Sequence, residues 1–276
     1  MPSVKTSKFT ALTYEGNLLK MRVALEEPVR YTLRLEKDEI DMNQLLGQQI
    51  HIAFEGRINC VNCGRITKKS FGQGFCYPCF IKAPENSECI LRPELCRAHL
   101  GEGRDVEWEK AHHLQPHIVY LAQTDAIKVG ITRTTQVPTR WIDQGARRAL
   151  PIATVPYRYL AGQIEVALKD QFTDKTNWRN MLKNVVNDEL HLEEHCELAH
   201  QWIPEELGEY ILQECPITEI HYPVLEYPEK VKSLILDKNP VISSTLLGIR
   251  GQYLIFDNGE VFNIRNHSGY YIHLSY

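Results

Sequence analysis

His117-Ile-Val-Tyr-Leu-Ala122 and, a few residues later, Ile127-Lys-Val-Gly-Ile-Thr132 are the two runs on which the reading of this chain turns. Both are short, apolar and rich in β-branched residues, the pattern of buried strands. Tyr120 ends an apolar triplet, and Gly130 closes the triplet Lys128-Val129-Gly130. Helical patterning begins after Thr135, with Pro138 at a first-turn position and Arg140 in that turn. A second helix over residues 161–172 puts Glu165 on one face with Ala161, Leu168 and Phe172. A carboxylate among apolar neighbours is costly unless it meets a cation, so Glu165 stands out from ordinary surface acids. Taken singly, Tyr120 also suits a core position at a strand end, Arg140 a solvated helix face, and Glu165 the edge of an amphipathic stripe.

Upstream the cysteines dominate. Six of the eight fall between Cys60 and Cys96, in a chain whose first residues, Met1-Pro2-Ser3-Val4-Lys5, show no secretory pattern. Clustered C-x-x-C pairs in that setting read as metal ligands rather than disulfides, and the expected compartment is the cytoplasm. Cys60-Val-Asn-Cys63 and Cys76-Tyr-Pro-Cys79 are separated by twelve residues, enough for a hairpin between two clamps. Four thiolates close a tetrahedral sphere, which suits structural zinc; an iron–sulfur cluster or paired dithiols would use the same residues. Cys89, Cys96 and His99, with His112 and His113 downstream, offer the donors for a second zinc, Cys89, Cys96, His99 and His112 being the first choice; buried free cysteines and a surface histidine pair fit as well. His191 and His195, one turn apart beside Cys196, could chelate from a helix face, though solvated histidines fit as well.

Residues 1–56 alternate as β-structure at Tyr31-Thr-Leu-Arg-Leu35 and Gln49-Ile-His-Ile-Ala-Phe54. Residues 216–276 return to β, with Asp257-Asn258-Gly259 as a hairpin turn between two apolar runs. The expected organisation is an N-terminal β segment (1–56), a zinc ribbon and cysteine-rich region (57–110), an α/β domain with an acidic helical extension (111–215), and a C-terminal β segment (216–276). The two terminal segments are expected to pair into a small barrel or sandwich. The class is α+β.

Composition excludes several classes. At 43% hydrophobic and 24% charged residues, the 276-residue chain has the material for a folded core. No stretch approaches the roughly 20 apolar residues of a membrane span. The net charge of −4 hides an asymmetry. Residues 56–84 carry five basic side chains and no acid, and residues 128–148 carry five against Asp143 alone. Residues 184–215 carry nine acids and no Lys or Arg. One face suits a polyanion, and the acidic stretch suits water or a protein partner. Lys68, Lys69, Arg133, Arg147 and Arg148 are candidate nucleic-acid contacts. Asn177, in the polar run Asp174-Lys-Thr-Asn-Trp-Arg179, is a candidate backbone anchor; the run also reads as a helix cap, a role that Asp174 and Thr176 suit. Gln144 is a further candidate contact, while Trp141 suits core packing.

The order of residues from Ile118 onward resembles the GIY-YIG nuclease superfamily, in which a G-I-Y strand, a Y-I-G strand, a helical Arg and a later helical Glu follow one another. Val119-Tyr120 stands where I-Y would, Lys128-Val129-Gly130 where Y-I-G would, and Arg140 and Glu165 follow in order. Ile118 replaces the first Gly and Lys128 the second Tyr. Over its whole length the chain is also similar to an uncharacterised bacterial domain family of unknown function. The first resemblance implies hydrolysis of a phosphodiester in DNA or RNA. Glu165 would hold Mg²⁺ or Mn²⁺, and Arg140 would brace the phosphoryl charge. Tyr120 would orient or deprotonate water, its phenol lowered by Lys128 and Arg140. Two other readings use the same residues: a non-catalytic DNA- or RNA-binding module, and a zinc-ribbon scaffold that docks a protein through residues 184–215.

Overall fold

The alternation in Gln49-Ile-His-Ile-Ala-Phe54 has a direct physical consequence: Ile50 and Ile52 are wholly buried, while Gln49 and His51 face water. This run opens the strand at the centre of the largest sheet. The computed structural model describes residues 12–172, 176–187 and 189–276. The first five residues and Asp174, read above for export and helix capping, lie outside these.

The chain begins with β1 (Thr13–Asn17), β2 (Leu19–Ala24), β3 (Arg30–Arg34), β4 (Glu39–Asp41), β5 (Gln49–Asn59) and β6 (Ile66–Thr67). Then come α1 (Tyr77–Lys82), α2 (Val106–His113), β7 (His117–Gln123), β8 (Ile127–Arg133), α3 (Thr139–Asp143), β9 (Arg148–Val155) and α4 (Arg158–Leu168). The remainder is α5 (Trp178–Leu182), α6 (Leu192–Trp202), β10 (Thr218–Glu219), β11 (Lys232–Leu234), β12 (Val241–Arg250), β13 (Tyr253–Phe256), β14 (Glu260–Asn263) and β15 (Tyr270–Ser275). No helix among the described residues is long and apolar enough to cross a membrane.

The large sheet runs β1-β15-β5-β12-β13-β14-β11, with β6 also paired to β5. β5 lies between β15 and β12, with Ile52 opposite Leu274 on one side and Ile242 on the other. The Asp257-Asn258-Gly259 turn joins β13 and β14 in the register its spacing predicts, Tyr253 opposite Asn263. A three-stranded sheet, β2-β3-β4, contributes Met21, Tyr31 and Leu33 to one apolar core with Ile50, Ile52, Leu254, Ile272 and Leu274 of the large sheet.

Of the expected barrel or sandwich, the barrel does not form. Among the described residues no sheet closes, because β2, β3 and β4 pair with one another and leave β1 and β11 as edges of the large sheet. What holds the layers together is the shared hydrocarbon, about 1.5–3 kcal/mol for each fully buried Leu or Ile.

The sheet that positions the cavity described below is β10-β9-β7-β8. β7 and β8 are antiparallel in unbroken register, Tyr120 opposite Gly130 and Ala122 opposite Lys128. Side chains alternate across this sheet. Val119, Leu121 and Val129 pack in one cluster with Ala161, Ile164 and Leu168 of α4 and Leu192, Cys196 and Ala199 of α6. Tyr120 and Ala122 point the other way, joining Trp141 and Ile142 in the core of the large sheet.

Candidate active site and metal centres

β8 is an edge strand, and a cavity of about 620 Å³ borders it. That volume is in the range of small-ligand sites. Tyr120 from β7, Lys128 from β8, Arg140 from α3 and Glu165 from α4 all border this one space. They reach it from different layers, Tyr120 from the α3 side of the sheet and Glu165 from the helix on the opposite side. Lys20, Arg133, Arg158, Lys169 and Arg265 border it too. Against these cations stand the carboxylates of Asp143 and Glu165. Asp143 is paired with Lys20 and accepts from Gln252 Nε2 at 2.9 Å. Cationic side chains therefore outnumber carboxylates along the lining.

Local packing explains the triplet that ends in Gly130. The Tyr120 ring lies across this position so closely that a Cβ there would stand 2.7 Å from its hydroxyl. Glycine at 130 is what lets the phenol lie over β8. The hydroxyl donates to Gln144 Oε1 at 2.8 Å, and the ring meets Trp141 edge-on, which places Trp141 in the core. Burial pushes the Tyr120 pKa up, and the charge and hydrogen bond of Arg140 recover only part of that rise. The sequence expectation of a lowered phenol is thus corrected: desolvation outweighs the cation, and Tyr120 is a neutral hydroxyl at pH 7.

α4 is set in place by a close approach. Gly162 packs on the backbone of Pro93 and Glu94, where a Cβ would fall 2.3 Å from Glu94 N. At the helix start, the Arg158 guanidinium donates to the carbonyls of Cys89 and Ile90 at 2.9–3.0 Å. About two turns on, Glu165 is half-buried beside the apolar stripe of Ala161, Ile164 and Leu168.

The other polyanion candidates scatter. Arg133 borders the cavity. Arg147 lines a separate small cavity of about 190 Å³ with Tyr222, Tyr227 and Arg250. Arg148 is occupied by Glu193 at 2.7 Å and Glu219 at 3.8 Å, because β9 runs beside β10 and the start of α6. Asn177 caps α5, its Oδ1 accepting from the N–H groups of Arg179 and Asn180, so it anchors its own helix. Lys68 and Lys69 sit on the exposed cysteine-rich loop, outside the cavity lining, with Lys69 5.3 Å from the Phe71 ring centre.

Cys60, Cys63, Cys76 and Cys79 converge with their sulfurs within 4.8 Å of one another. The Cys63–Cys76 separation is 3.8 Å. A zinc ion with sulfurs at about 2.3 Å has tetrahedral edges of about 3.8 Å, so these four residues fit the ion and can hold it. Burial pushes the Cys60 thiol up, but N–H donors of Cys63, Cys76 and Asn62 outweigh it and bring the group down to about 6. Thiolate is the form a metal takes.

A second cluster unites Cys89 and Cys96 with Glu109 and His113. His99 and His112, expected there, lie elsewhere. His99 stacks on Tyr157 and meets Tyr159 at a tilt, and His112 stacks on Trp108 with Nδ1 at 2.8 Å from its carbonyl. Helical period is the reason: residues 109 and 113 share a face of α2, and 112 is turned aside. A third group joins Cys196, His200 and Cys215, with both sulfurs 3.7–3.8 Å from His200 Nε2. His191 and His195 do not chelate together; His195 Nδ1 meets the His191 carbonyl at 2.7 Å.

A family model described as Protein of unknown function (DUF2797) matches residues 47–272. The chain belongs to that family. The DUF2797 match runs from just before β5 into β15 and contains all three cysteine clusters and the four central cavity residues. Searches of curated proteins and of solved structures gave no match.

Several cavity residues of this DUF2797 protein carried no signal of their own in sequence. Lys20 and Arg265 come from strands and turns far from the central motif, and Arg158 precedes the helical stripe that announced α4. Gln73 of the cysteine-rich loop accepts from Arg265 Nε at 2.7 Å, tying that loop to the cavity rim.

Proposed function

We propose that this DUF2797 protein is a zinc-containing nucleic-acid-binding protein whose cavity hydrolyses a phosphodiester in the manner of the GIY-YIG nucleases. The observation that carries the reading is the meeting of Tyr120, Lys128, Arg140 and Glu165 at one strongly cationic cavity. A phosphate entering it meets permanent positive charge in a partly desolvated setting, where electrostatic stabilisation of a developing phosphoryl charge is largest.

In this scheme Arg140 and Lys128 grip the phosphate, and Arg140 braces the equatorial oxygens as charge grows. The Tyr120 hydroxyl donates to Gln144 and offers its oxygen to a water, setting the direction of attack; as the new P–O bond forms, the bond to the leaving oxygen breaks, and the water's proton passes through solvent to that oxygen. Glu165 would hold Mg²⁺ or Mn²⁺, which supplies positive charge at the leaving oxygen. A single carboxylate among cations suits an ion that arrives with its phosphate, since Mg²⁺ commonly binds through one or two carboxylates plus substrate phosphates.

The test is cleavage of labelled DNA and RNA, single- and double-stranded, with Mg²⁺ or Mn²⁺. Wild-type protein should cut at least one, and Glu165→Gln and Tyr120→Phe should each abolish cutting while retaining salt-dependent binding. Wild-type binding without cleavage would favour the second reading, a module that grips phosphate without reacting. The raised Tyr120 pKa speaks for that alternative, because it leaves no phenolate to act as base. Absence of binding at low salt would defeat both. A protein-docking role for the acidic stretch would then lead, with Leu198 and Trp202 of α6 exposed within it.

A further inference from the structure

Residues 83–105 have little hydrocarbon of their own. Four 3-10 turns, Pro84–Asn86, Glu88–Ile90, Pro93–Leu95 and Ala98–Leu100, follow one another without sheet or long helix. Their buried apolar interior is Cys89, Cys96 and Ala98, with Tyr159 packed against it. A segment this poor in core needs a staple, usually a metal or disulfides. Yet it forms one wall of the cavity: Ile90, Leu91 and Pro93 border it, as do Trp108 and His113 of α2.

Into this small interior α2 inserts Glu109 and His113, each 2% exposed. Two thiols, a carboxylate and an imidazole thus share one buried pocket. A buried carboxylate is costly without cationic and hydrogen-bonding partners. We propose that Cys89, Cys96, Glu109 and His113 bind one zinc ion, and that this ion fastens residues 83–114 as the cavity wall.

The geometry fits. Zinc with sulfur at about 2.3 Å and nitrogen at about 2.05 Å sets a sulfur-to-nitrogen edge of about 3.6 Å. His113 Nδ1 lies 3.5 Å from Cys96 Sγ and 4.0 Å from Cys89 Sγ. Glu109 and His113, four residues apart on α2, present carboxylate and imidazole together, and the carboxylate contacts Nδ1. The charge closes as well. Two thiolates and a carboxylate carry three negative charges; zinc supplies two positive ones, and the Arg158 guanidinium, bonded to the Cys89 and Ile90 carbonyls, supplies the third. A Cys89–Cys96 disulfide would account for two of the four groups and leave the buried Glu109–His113 pair unexplained.

This centre stands independently of the hydrolase reading, since zinc content and strand cleavage are separate measurements. The full chain, expressed with zinc and dialysed, is assayed for metal by mass spectrometry beside Cys89→Ser/Cys96→Ser and Cys60→Ser/Cys63→Ser. Each double variant should lose one equivalent relative to wild type, and the combined variant two. A folded Cys89→Ser/Cys96→Ser protein with the full wild-type content overturns the proposal. Should that variant fail to fold, Glu109→Gln keeps the side-chain volume and removes one donor. In the cadmium-loaded protein its ¹¹³Cd spectrum should shift one resonance, from a mixed sulfur, nitrogen and oxygen site, and leave the four-sulfur resonance in place. A spectrum in which no resonance moves overturns it too.

Discussion

The sheet around β5 and the cysteine-rich stretch that follows it bury different kinds of group. In the sheet the hidden side chains are Ile50, Ile52, Leu254, Phe262 and Leu274. Between residues 57 and 114 the hidden groups include Cys60, Cys76, Cys89, Cys96, Glu109 and His113. One region gains stability from hydrocarbon leaving water, spread over many residues. The other concentrates it in a few donor atoms, which is effective only when an ion meets them. The proposed cavity lies where the two kinds of structure meet, with Arg265 from the sheet side held by Gln73 of the cysteine-rich loop.

The sharpest way to break that contrast is to deprive the chain of the zinc that Cys60, Cys63, Cys76 and Cys79 could hold. Structural zinc contributes on the order of 10–16 kcal/mol of apparent binding free energy. Chelation, or Cys60→Ser, should therefore abolish hydrogen-exchange protection across residues 60–82 while β5, β12 and β15 keep theirs. Simultaneous loss of protection in those strands would show a single cooperative unit. The reverse experiment comes next in size. Leu254→Ala, at a wholly buried site, should cost about 2–5 kcal/mol in denaturant unfolding while zinc content stays unchanged. A cost near zero would mean that the sheet is not held by its hydrocarbon.

Gly130→Ala probes the junction. Tyr120 must move to admit the methyl group, which should cost about 1–3 kcal/mol by overpacking. Binding or cleavage in the cavity should fall further than that stability loss predicts, and an unchanged Tyr120–Gln144 contact in a crystal of the variant would refute the packing argument. The smallest effect concerns pH. His267 is buried neutral, its Nδ1 2.7 Å from the Asn263 carbonyl and its Nε2 accepting from Leu236 N at 3.2 Å. Burial holds its pKa below the ordinary value. The unfolded chain then binds the proton more readily, so this contribution is intact above about pH 6.5 and is lost as pH falls below it. Unfolding measured across that window should show a shallower decline in His267→Leu than in wild type.

Much of the architecture was legible in advance because its signals are local. Period-two alternation announced β3 and β5, and two apolar runs about an Asp-Asn-Gly turn announced the β13–β14 hairpin. The C-x-x-C pairs were legible for a similar reason, since two-residue spacing fixes both thiols on one knuckle. The second cluster was half legible: Cys89, Cys96 and the His112–His113 pair drew attention, but which histidine joins the thiols, and the carboxylate, depend on which face of α2 turns inward. The choice between barrel and sandwich was not legible, because strand alternation says which face is buried and nothing about which edges meet.

By itself, the sequence determined the elements, the four-cysteine knuckle and the order Tyr120, Lys128, Arg140, Glu165, because propensity, periodicity and ligand spacing act over a few residues. Only the tertiary structure decided that these four border one cavity, that Lys20, Arg158 and Arg265 join them, and that Tyr120 is held neutral. Charge and desolvation act through space, on neighbours far apart in the chain.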